Sequence, residues 1–252
     1  MKSTSYVKGR PKELHVLDHG LFKVHSDGRV IGICGFLIKT EAGETILVDT
    51  GFPAKYAGDI QTASDEDRLG DFGEVLELTE KNLPAAQLAL SGVSPRDIDL
   101  LVITHTHIDH VGGIADFPDA PILMARAERE LEKPLYWGEV RPLDWPDRDY
   151  LLVDGDMEIG PGLRVLLVPG HAPGQLALIV DLPETGAVLL TSDAISRPAE
   201  IDKKFAGSWN EELAQKSGAR LMALAEELDA TIIYGHCPEQ WPVLRKTPDA
   251  YR

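Results

Sequence analysis

Residues 101–113 read LVITHTHIDHVGG and place three of the eight histidines of the chain within six positions. Asp109 lies between the second and the third of these histidines. Crowding imidazole rings and a carboxylate into one pocket has a large desolvation cost unless a ligand organises them. Neutral imidazole and carboxylate are the nitrogen and oxygen donors that divalent first-row metal ions bind. The H-x-H-x-D-H pattern therefore predicts a metal site.

Further candidate ligands follow other apolar segments of the chain. The runs ILVDTG, LRVLLVPG, AVLLTSD and ATIIYGH carry Asp49, His171, Asp193 and His236 at or just after their ends. Such apolar runs are typical of buried strands, and the loops that follow strands are held at the rim of a sheet, where function is common. Five His and two Asp suit two ions that share one carboxylate, and they are too many for one open tetrahedral site.

The spacing within the cluster predicts how it divides between two ions. Side chains alternate along an extended segment, so the rings of His105 and His107 lie on the same side and can reach one ion. Asp109 and His110 are expected to turn towards a second ion. The three histidines that stand alone in the sequence are expected to be solvated or hydrogen-bonded rather than ligands: His15, His19 and His25.

Composition excludes several classes of partner. The formal net charge of −16 argues against nucleic acid and against anionic membranes, because both would be repelled on approach. Cys34 and Cys237 are interpreted as free thiols rather than a disulfide. The N-terminus has no apolar segment typical of a signal peptide, and no apolar run is long enough for a transmembrane helix. We therefore expect a soluble, cytoplasmic protein.

No repeat or linker divides the sequence, so a single domain over residues 1–252 is predicted. Short apolar runs separated by turns predict strands in both halves, and NEELAQKSGARLMALAEELD has the spacing of an amphipathic helix. A helix is also predicted across residues 79–92, whereas residues 56–73 are interpreted as a long binding loop, with a helical turn within it as an alternative. These patterns favour a layered α/β architecture with helices outside sheets.

Several segments together resemble the metallo-β-lactamase-fold hydrolase superfamily and, within it, most closely the N-acyl homoserine lactonases. These segments are LVDTG, SPRDIDLLVITHTHIDHVGG, APILMARAERE, VPGHAPGQLALIV, LLTSDA and GHCPEQWPVLRKTPDAYR. The H-x-H-x-D-H motif is highly specific for the fold, and the PGHAPGQ and GH-x-x-EQW contexts are moderately specific for the lactonases. The resemblance implies a four-layer αββα sandwich with the site at one edge of its two sheets.

The resemblance also implies roles for the candidate ligands. Asp193 would bridge the two ions, and Asp49 would support the cluster through hydrogen bonds without binding metal. The ions would be divalent, with zinc the first choice and iron, manganese or cobalt also compatible. The remaining ligands would be divided between the first ion and the second: His105, His107 and His171, and then Asp109, His110 and His236.

The activity implied by the resemblance is hydrolysis of a lactone, above all an N-acyl homoserine lactone, which is quorum quenching. A hydroxide bridging two ions attacks the ester carbonyl, and Asp109 delivers a proton to the leaving oxygen. No organic cofactor is expected, and the partner is a small lactone or ester. A homodimer is an expectation from the family.

The resemblance is incomplete near the substrate. The lactonases carry a tyrosine three residues after the bridging aspartate, and here Ser196 stands at that position. They also tend to carry an aspartate after the last histidine, where this chain has Cys237. Loss of one transition-state donor can lower the rate by about 10²–10³-fold. Four residues are the candidate substrate contacts in this chain: Phe72, Trp137, Ser196 and Tyr234.

Other activities on the same fold stay open from the sequence. The alternatives are a hydrolase of another lactone or ester, a glyoxalase II-like thioesterase, and an iron-dependent oxidoreductase. A binding module braced by metal is also compatible with the residues. Acid release from lactones, acid release from thioesters and oxygen uptake distinguish the enzymatic alternatives.

Overall fold

The structure, a computed structural model, describes residues 6–136 and 138–252. Within them, seven strands form a first sheet in the order β4-β1-β2-β3-β5-β6-β7. Strands β4, β1, β2 and β3 pair antiparallel, and β3, β5, β6 and β7 pair parallel. Their bounds are β1 Pro11–Val24, β2 Val30–Thr40, β3 Thr45–Val48, β4 Gly73–Glu77, β5 Leu100–Val102, β6 Ile122–Ala125 and β7 Tyr150–Val153.

A second sheet of five described strands has the order β12-β11-β10-β9-β8. Its pairs are antiparallel except for the parallel pair β11 and β12. The bounds are β8 Met157–Gly160, β9 Leu163–Leu167, β10 Leu176–Leu182, β11 Gly186–Leu190 and β12 Thr231–Ile233.

The two sheets pack face to face because apolar side chains alternate along their strands. In β3, Ile46 and Val48 join the core between the sheets, whereas Leu47 points to the other face. In β10, Leu178 joins the same core while Ile179 faces outwards. Strands that are apolar at every position are thus buried on both faces, as the continuous runs in the sequence predict.

Helices cover both outer faces. Tyr56, Leu88 and Val111 pack on the outside of the first sheet, and Leu221 and Ala225 pack on the outside of the second. The arrangement is the predicted four-layer αββα sandwich. The helices are α1 Lys55–Gly58, α2 Ile60–Asp67, α3 Pro84–Ala89, α4 Ile108–Val111, α5 Arg126–Arg129, α6 Ala199–Asp202 and α7 Glu211–Glu227.

Two predicted local structures need correction. Residues 56–73 are not an irregular loop, because α1 and α2 occupy most of this segment. Asp59 begins α2 by accepting a hydrogen bond from the backbone N–H of Thr62 at 3.0 Å, which is a typical N-cap. The helix predicted across residues 79–92 is a short 3₁₀ turn followed by α3, which begins at Pro84.

The structure also bears on two expectations about the cysteines and about membrane-spanning helices. Cys34 and Cys237 are both buried free thiols, as interpreted from composition. Among the described residues, each helix is too short or too polar to span a bilayer.

Candidate metal centre

The candidate ligands meet at one edge of the sandwich because of the strand directions. Strands β3 and β5 are parallel, so Asp49 and the segment 104–107 follow them at the same edge. In the second sheet β11 and β12 are parallel, which brings Asp193 and His236 together. Strand β9 lies two antiparallel pairings from β11 and runs in the same direction, so His171 follows it at this edge.

The predicted ligand side chains form overlapping groups whose donor atoms lie within 4.8 Å of one another. In the first group, the ring centroids of His105 and His107 are 4.5 Å apart, as the alternation along this segment predicts. The Nε2 atom of His171 lies 3.0 Å from Nδ1 of His107. The three groups are His105, His107 and His171; His105, His110 and Asp193; and Asp109, His110 and His236.

Asp193 lies between the two ends of the cluster. Its Oδ2 is 3.4 Å from Nε2 of His171, which belongs to the first group. Its Oδ1 is 3.2 Å from Nε2 of His236 and 3.5 Å from Nε2 of His110. On the far side, Oδ2 of Asp109 is 3.3 Å from His236 Nε2. One carboxylate therefore faces both ends with separate oxygens, which is the placement of a bridging ligand.

The unsatisfied atoms of this cluster fit a metal centre. The Nε2 atoms of His105, His110 and His236 and Oδ1 of Asp193 are buried and have no hydrogen-bond partner. A buried polar atom without a partner costs about 1–3 kcal/mol. Donors held about 2.0–2.2 Å from a shared tetrahedral ion lie roughly 3.3–3.6 Å apart, which matches most of the separations here. The His/Asp cluster is therefore capable of binding metal.

The outward nitrogens of the same histidines have partners. Nδ1 of His110 is 2.8 Å from Oδ2 of Asp49, and Nδ1 of His236 is 3.0 Å from the carbonyl oxygen of Gly32. Asp49 also accepts hydrogen bonds from the N–H and hydroxyl of Thr104 at 2.8 and 2.7 Å. Such contacts fix the orientation of a ligating ring. Asp49 thus has the surroundings of a supporting residue.

Close backbone packing brings the last strand against Asp193. A Cβ atom on Gly235 would lie 2.5 Å from the carbonyl oxygen of Ser192 and 2.7 Å from Oδ1 of Asp193. Only glycine fits at this distance, so Gly235 allows the adjacent His236 to approach the carboxylate of Asp193.

The cluster keeps its carboxylates charged and several of its imidazoles neutral. Burial lowers the pKa of His105 well below 6.5 and that of His171 to about 4. Burial also opposes the charged form of Asp109, but the neighbouring His110 and His236 outweigh it and lower the pKa of Asp109 to about 2. Neutral imidazole nitrogens beside charged carboxylates make a site that attracts cations.

The pKa is raised, rather than lowered, for the two imidazoles that face carboxylates. Burial lowers the pKa of His110 and of His236, yet the adjacent carboxylates outweigh it and raise both pKa values well above 6.5. The same contacts hold the pKa of Asp193 well below 3.8 against the effect of burial.

A cavity of about 450 Å³ opens onto the cluster. Its lining includes candidate ligands, among them His107, Asp109 and Asp193. An apolar wall of the cavity is formed by buried side chains and by Phe72, which is 48% exposed. Besides Phe72, the wall contains Phe22, Ile31, Phe52 and Leu69.

The candidate substrate contacts divide into three cases. Phe72 and Ser196 line the cavity. Tyr234 is a correction, because its ring packs with the outer cluster beneath α7, where Leu221 also lies, and not against the cavity. Trp137 lies outside the described residues.

Sequence reasoning missed several residues around the centre. Arg29 and Glu200 line the cavity, and Glu200 accepts a hydrogen bond from the N–H of Ser196 at 2.8 Å. Glu128 is fully buried and contacts the backbone of two ligand-bearing loops. No local pattern separates Glu128 from its exposed neighbours in ARAERE, so long-range contacts alone reveal it.

Comparison with known proteins places the geometry in a family. The model of the Metallo-beta-lactamase superfamily matches residues 34–236, which span the whole cluster. The chain belongs to the metallo-beta-lactamase superfamily. Within this superfamily, the curated relatives include an N-acyl homoserine lactonase of Bacillus cereus, 34% identical over 81% of each chain. The lactonase AttM of Azorhizobium caulinodans is 31% identical over 86% of each chain.

Solved metallo-beta-lactamase structures agree with the sequence relatives. A variant of B. thuringiensis AiiA with N-decanoyl-L-homoserine bound at the active site is 29% identical, with a TM-score of 0.83. The match covers 96% of this chain and 100% of that chain. An N-acyl homoserine lactone hydrolase with N-hexanoyl-L-homoserine bound at its catalytic metal center has a TM-score of 0.82 over the same shares.

Proposed function

We propose that this chain is a metal-dependent hydrolase that opens the ring of N-acyl homoserine lactones and thereby inactivates these quorum-sensing signals. The proposed cofactor is a pair of divalent cations, with zinc as the first choice among ions that imidazole and carboxylate accept. The lactonase relatives named above support this reaction class. Their bound products consist of a homoserine head and an acyl tail.

One observation carries the proposal. The cavity is lined both by candidate ligands with unsatisfied atoms, Asp193 and His236, and by the apolar wall. An N-acyl homoserine lactone has the same two parts, a polar ring and an apolar tail. Seating the tail against Phe22, Phe52 and Leu69 would direct the ring towards Asp109 and Asp193. Such directed binding lowers the entropy cost of reaching the reactive geometry.

The proposed first ion is held by His105, His107 and His171, and the second by Asp109, His110 and His236, with Asp193 shared. When bound, such ions supply a water of lowered pKa and polarise the carbonyl oxygen of an ester.

The side chains supply the rest of the proposed mechanism. Asp109 lines the cavity, and its carboxylate would accept a proton from the attacking water. Asp109 then passes that proton to the ring oxygen as the ester bond breaks, which gives a hydroxy acid. Asp49 holds His110 in place through its 2.8 Å contact with Nδ1. The apolar wall limits the access of bulk water to the acyl side of the substrate.

The proposal is tested by following acid release with a pH indicator on zinc-loaded protein. The panel contains homoserine lactones with short and long acyl chains, a simple lactone, a glutathione thioester and a β-lactam. We expect the highest kcat/KM on the acylated homoserine lactones, and no acid release above background from the Asp109→Asn variant on any substrate. A preference for the thioester, or no activity on lactones, would overturn the proposal.

Ser196 favours a second candidate, a hydrolase of other lactones or esters. The serine lines the cavity, and the ring and hydroxyl of the tyrosine found in the lactonases are missing at this position. A higher kcat/KM on the simple lactone than on any acylated homoserine lactone in the same panel would support this candidate.

A further inference from the structure

We infer that Glu128 is a positioning residue that sets the distance between the candidate ligands His107 and His171. The inference rests on the proposed metal-binding function of these two histidines. Glu128 lies on α5, does not line the cavity, and is 0% exposed. Its contacts connect two loops that belong to different sheets.

The two carboxylate oxygens of Glu128 each contact a different ligand-bearing loop. Oε2 accepts hydrogen bonds from the N–H of Thr106, at 3.2 Å, and from the Thr106 hydroxyl. Oε1 accepts a hydrogen bond from the N–H of Gly174 at 3.0 Å. Thr106 immediately precedes His107, and Gly174 is three residues after His171. The side chain therefore bridges the loop that follows β5 and the loop that follows β9.

The bridge requires a carboxylate because all three of its partners are donors. The Thr106 hydroxyl already accepts a hydrogen bond from the N–H of Leu135 at 3.0 Å, so its proton is directed to Glu128. A glutamine at position 128 would have to point its NH₂ group at one of these donors. A buried donor left without an acceptor is costly, so the loops would shift to relieve it.

The side of the 105–107 segment that Glu128 contacts explains how Glu128 can position the candidate ligands. Thr106 lies between His105 and His107 in an extended segment, so its side chain points away from their rings. Glu128 thus holds the back of the segment while the rings face the centre. On the other loop, a Cβ on Gly174 would lie only 2.6 Å from Cγ of Glu128. The loop can approach this closely only because residue 174 is glycine.

A metal-affinity measurement tests this role without relying on activity. Metal-free wild type, Glu128→Gln and Glu130→Gln are titrated with Co²⁺ against a chelator, and absorption spectra are recorded. Glu130 is the matched control because its exposed side chain belongs to the same part of the chain. We expect Glu128→Gln to raise the dissociation constant of one ion by about 10–100-fold, with an altered spectrum, and to leave the other ion close to wild type. Glu130→Gln should match wild type at both sites.

If Glu128→Gln does not fold, a second pair of variants tests the positioning role of Glu128. Thr106→Val removes the hydroxyl that donates to Glu128, and Thr106→Ser keeps it. We expect the valine variant to lose affinity for the same ion and the serine variant to keep it. The inference would be overturned if wild type and Glu128→Gln bound both ions with equal affinity, or if Thr106→Val and Thr106→Ser did. An equal loss of affinity at both metal sites would also overturn it. If wild type takes up no metal, the proposed function fails and the inference fails with it.

Discussion

Two buried polar clusters lie close together in this protein, and they differ in how well their groups are satisfied. In the candidate metal centre, Nε2 of His236 and Oδ1 of Asp193 lie 3.2 Å apart, yet neither atom has a hydrogen-bond partner. In the second cluster, called here the Asp67 cluster, the carboxylate of Asp67 accepts hydrogen bonds from the hydroxyls of Tyr56 and Tyr136 at 2.8 and 2.9 Å. Lys55 completes it, with Nζ 2.7 Å from the other carboxylate oxygen.

The difference separates a functional site from a structural one. A buried polar cluster whose groups satisfy one another stabilises the fold and leaves nothing for a ligand to bind. A cluster with aligned, unsatisfied donors has a free-energy cost in the protein alone, which a cation can offset. Changes in the metal centre should therefore alter activity most, and changes in the Asp67 cluster should alter stability most.

The largest effect is expected from Asp193→Ala. This change removes the carboxylate that faces both ends of the cluster, so the two proposed ions would lose the ligand proposed to be shared. We expect kcat/KM on homoserine lactones to fall by about 10³-fold or more, together with a loss of bound metal measured by elemental analysis. A variant that kept its metal content and its activity would remove the distinction between the two clusters.

His19 provides a buried imidazole that is close to the centre but outside it. Its ring packs against Gly35 and Gly51, and Nδ1 lies 2.8 Å from the carbonyl oxygen of Asn82. Burial lowers the pKa of His19 from 6.5 to about 4. As the pH falls below 6.5 the unfolded chain binds a proton that the folded chain does not bind until about pH 4, so stability is lost across this window.

The loss attributable to His19 is about 3 kcal/mol between pH 6.5 and 4. The variant His19→Asn keeps a donor for Asn82 and removes the titrating group. Urea denaturation of metal-free protein at a series of pH values should give a shallower decline of the free energy of unfolding for the variant than for wild type. Identical declines would mean that His19 is not held neutral by the fold.

In the Asp67 cluster, Asp67→Asn should lower the free energy of unfolding by about 1–3 kcal/mol, because an amide cannot accept from all three donors. The matched control is Asp71→Asn on an exposed ion pair with Arg68, where we expect less than about 0.5 kcal/mol. Urea denaturation of the metal-free proteins measures both. A larger loss of activity in the folded Asp67 variant than in the Asp193 variant would contradict the assignment of the two clusters.

The smallest effect is expected from Ser196→Ala. Ser196 lines the cavity, and its side chain is short enough that we expect it to reach a substrate carbonyl only through water. We expect kcat/KM on homoserine lactones to change by less than about tenfold, whereas loss of a direct transition-state donor lowers the rate by about 10²–10³-fold. A drop in the latter range would show that the serine itself contacts the reacting group.

The proximity of the candidate ligands was predictable because each of them lies just after an apolar run of the sequence. His105 and His107 alternate along an extended segment, and His171 follows an unmistakable apolar run. A layered α/β architecture was predictable because strands such as β3 and β10 are apolar on both faces, whereas the four layers were implied by the resemblance to the superfamily.

The remaining features depend on signals that were overlooked or on contacts far apart in the chain. The cap at Asp59 is a local signal for α2 within a segment that looked irregular. Tyr234 follows Ile233, which faces the inner core, so alternation already directs Tyr234 to the outer face. Glu128 could not be predicted, because its importance arises from Thr106 and Gly174 on two distant loops.

Anomalous diffraction from crystals of the zinc-loaded protein, recorded on both sides of the zinc absorption edge, tests the central claim most directly. We expect two peaks at the edge of the sandwich, with the carboxylate of Asp193 between them. One peak should adjoin the first group of ligands and the other the second: His105, His107 and His171, and Asp109, His110 and His236. A single peak, or zinc bound elsewhere on the chain, would contradict the proposed pair of ions at this cluster.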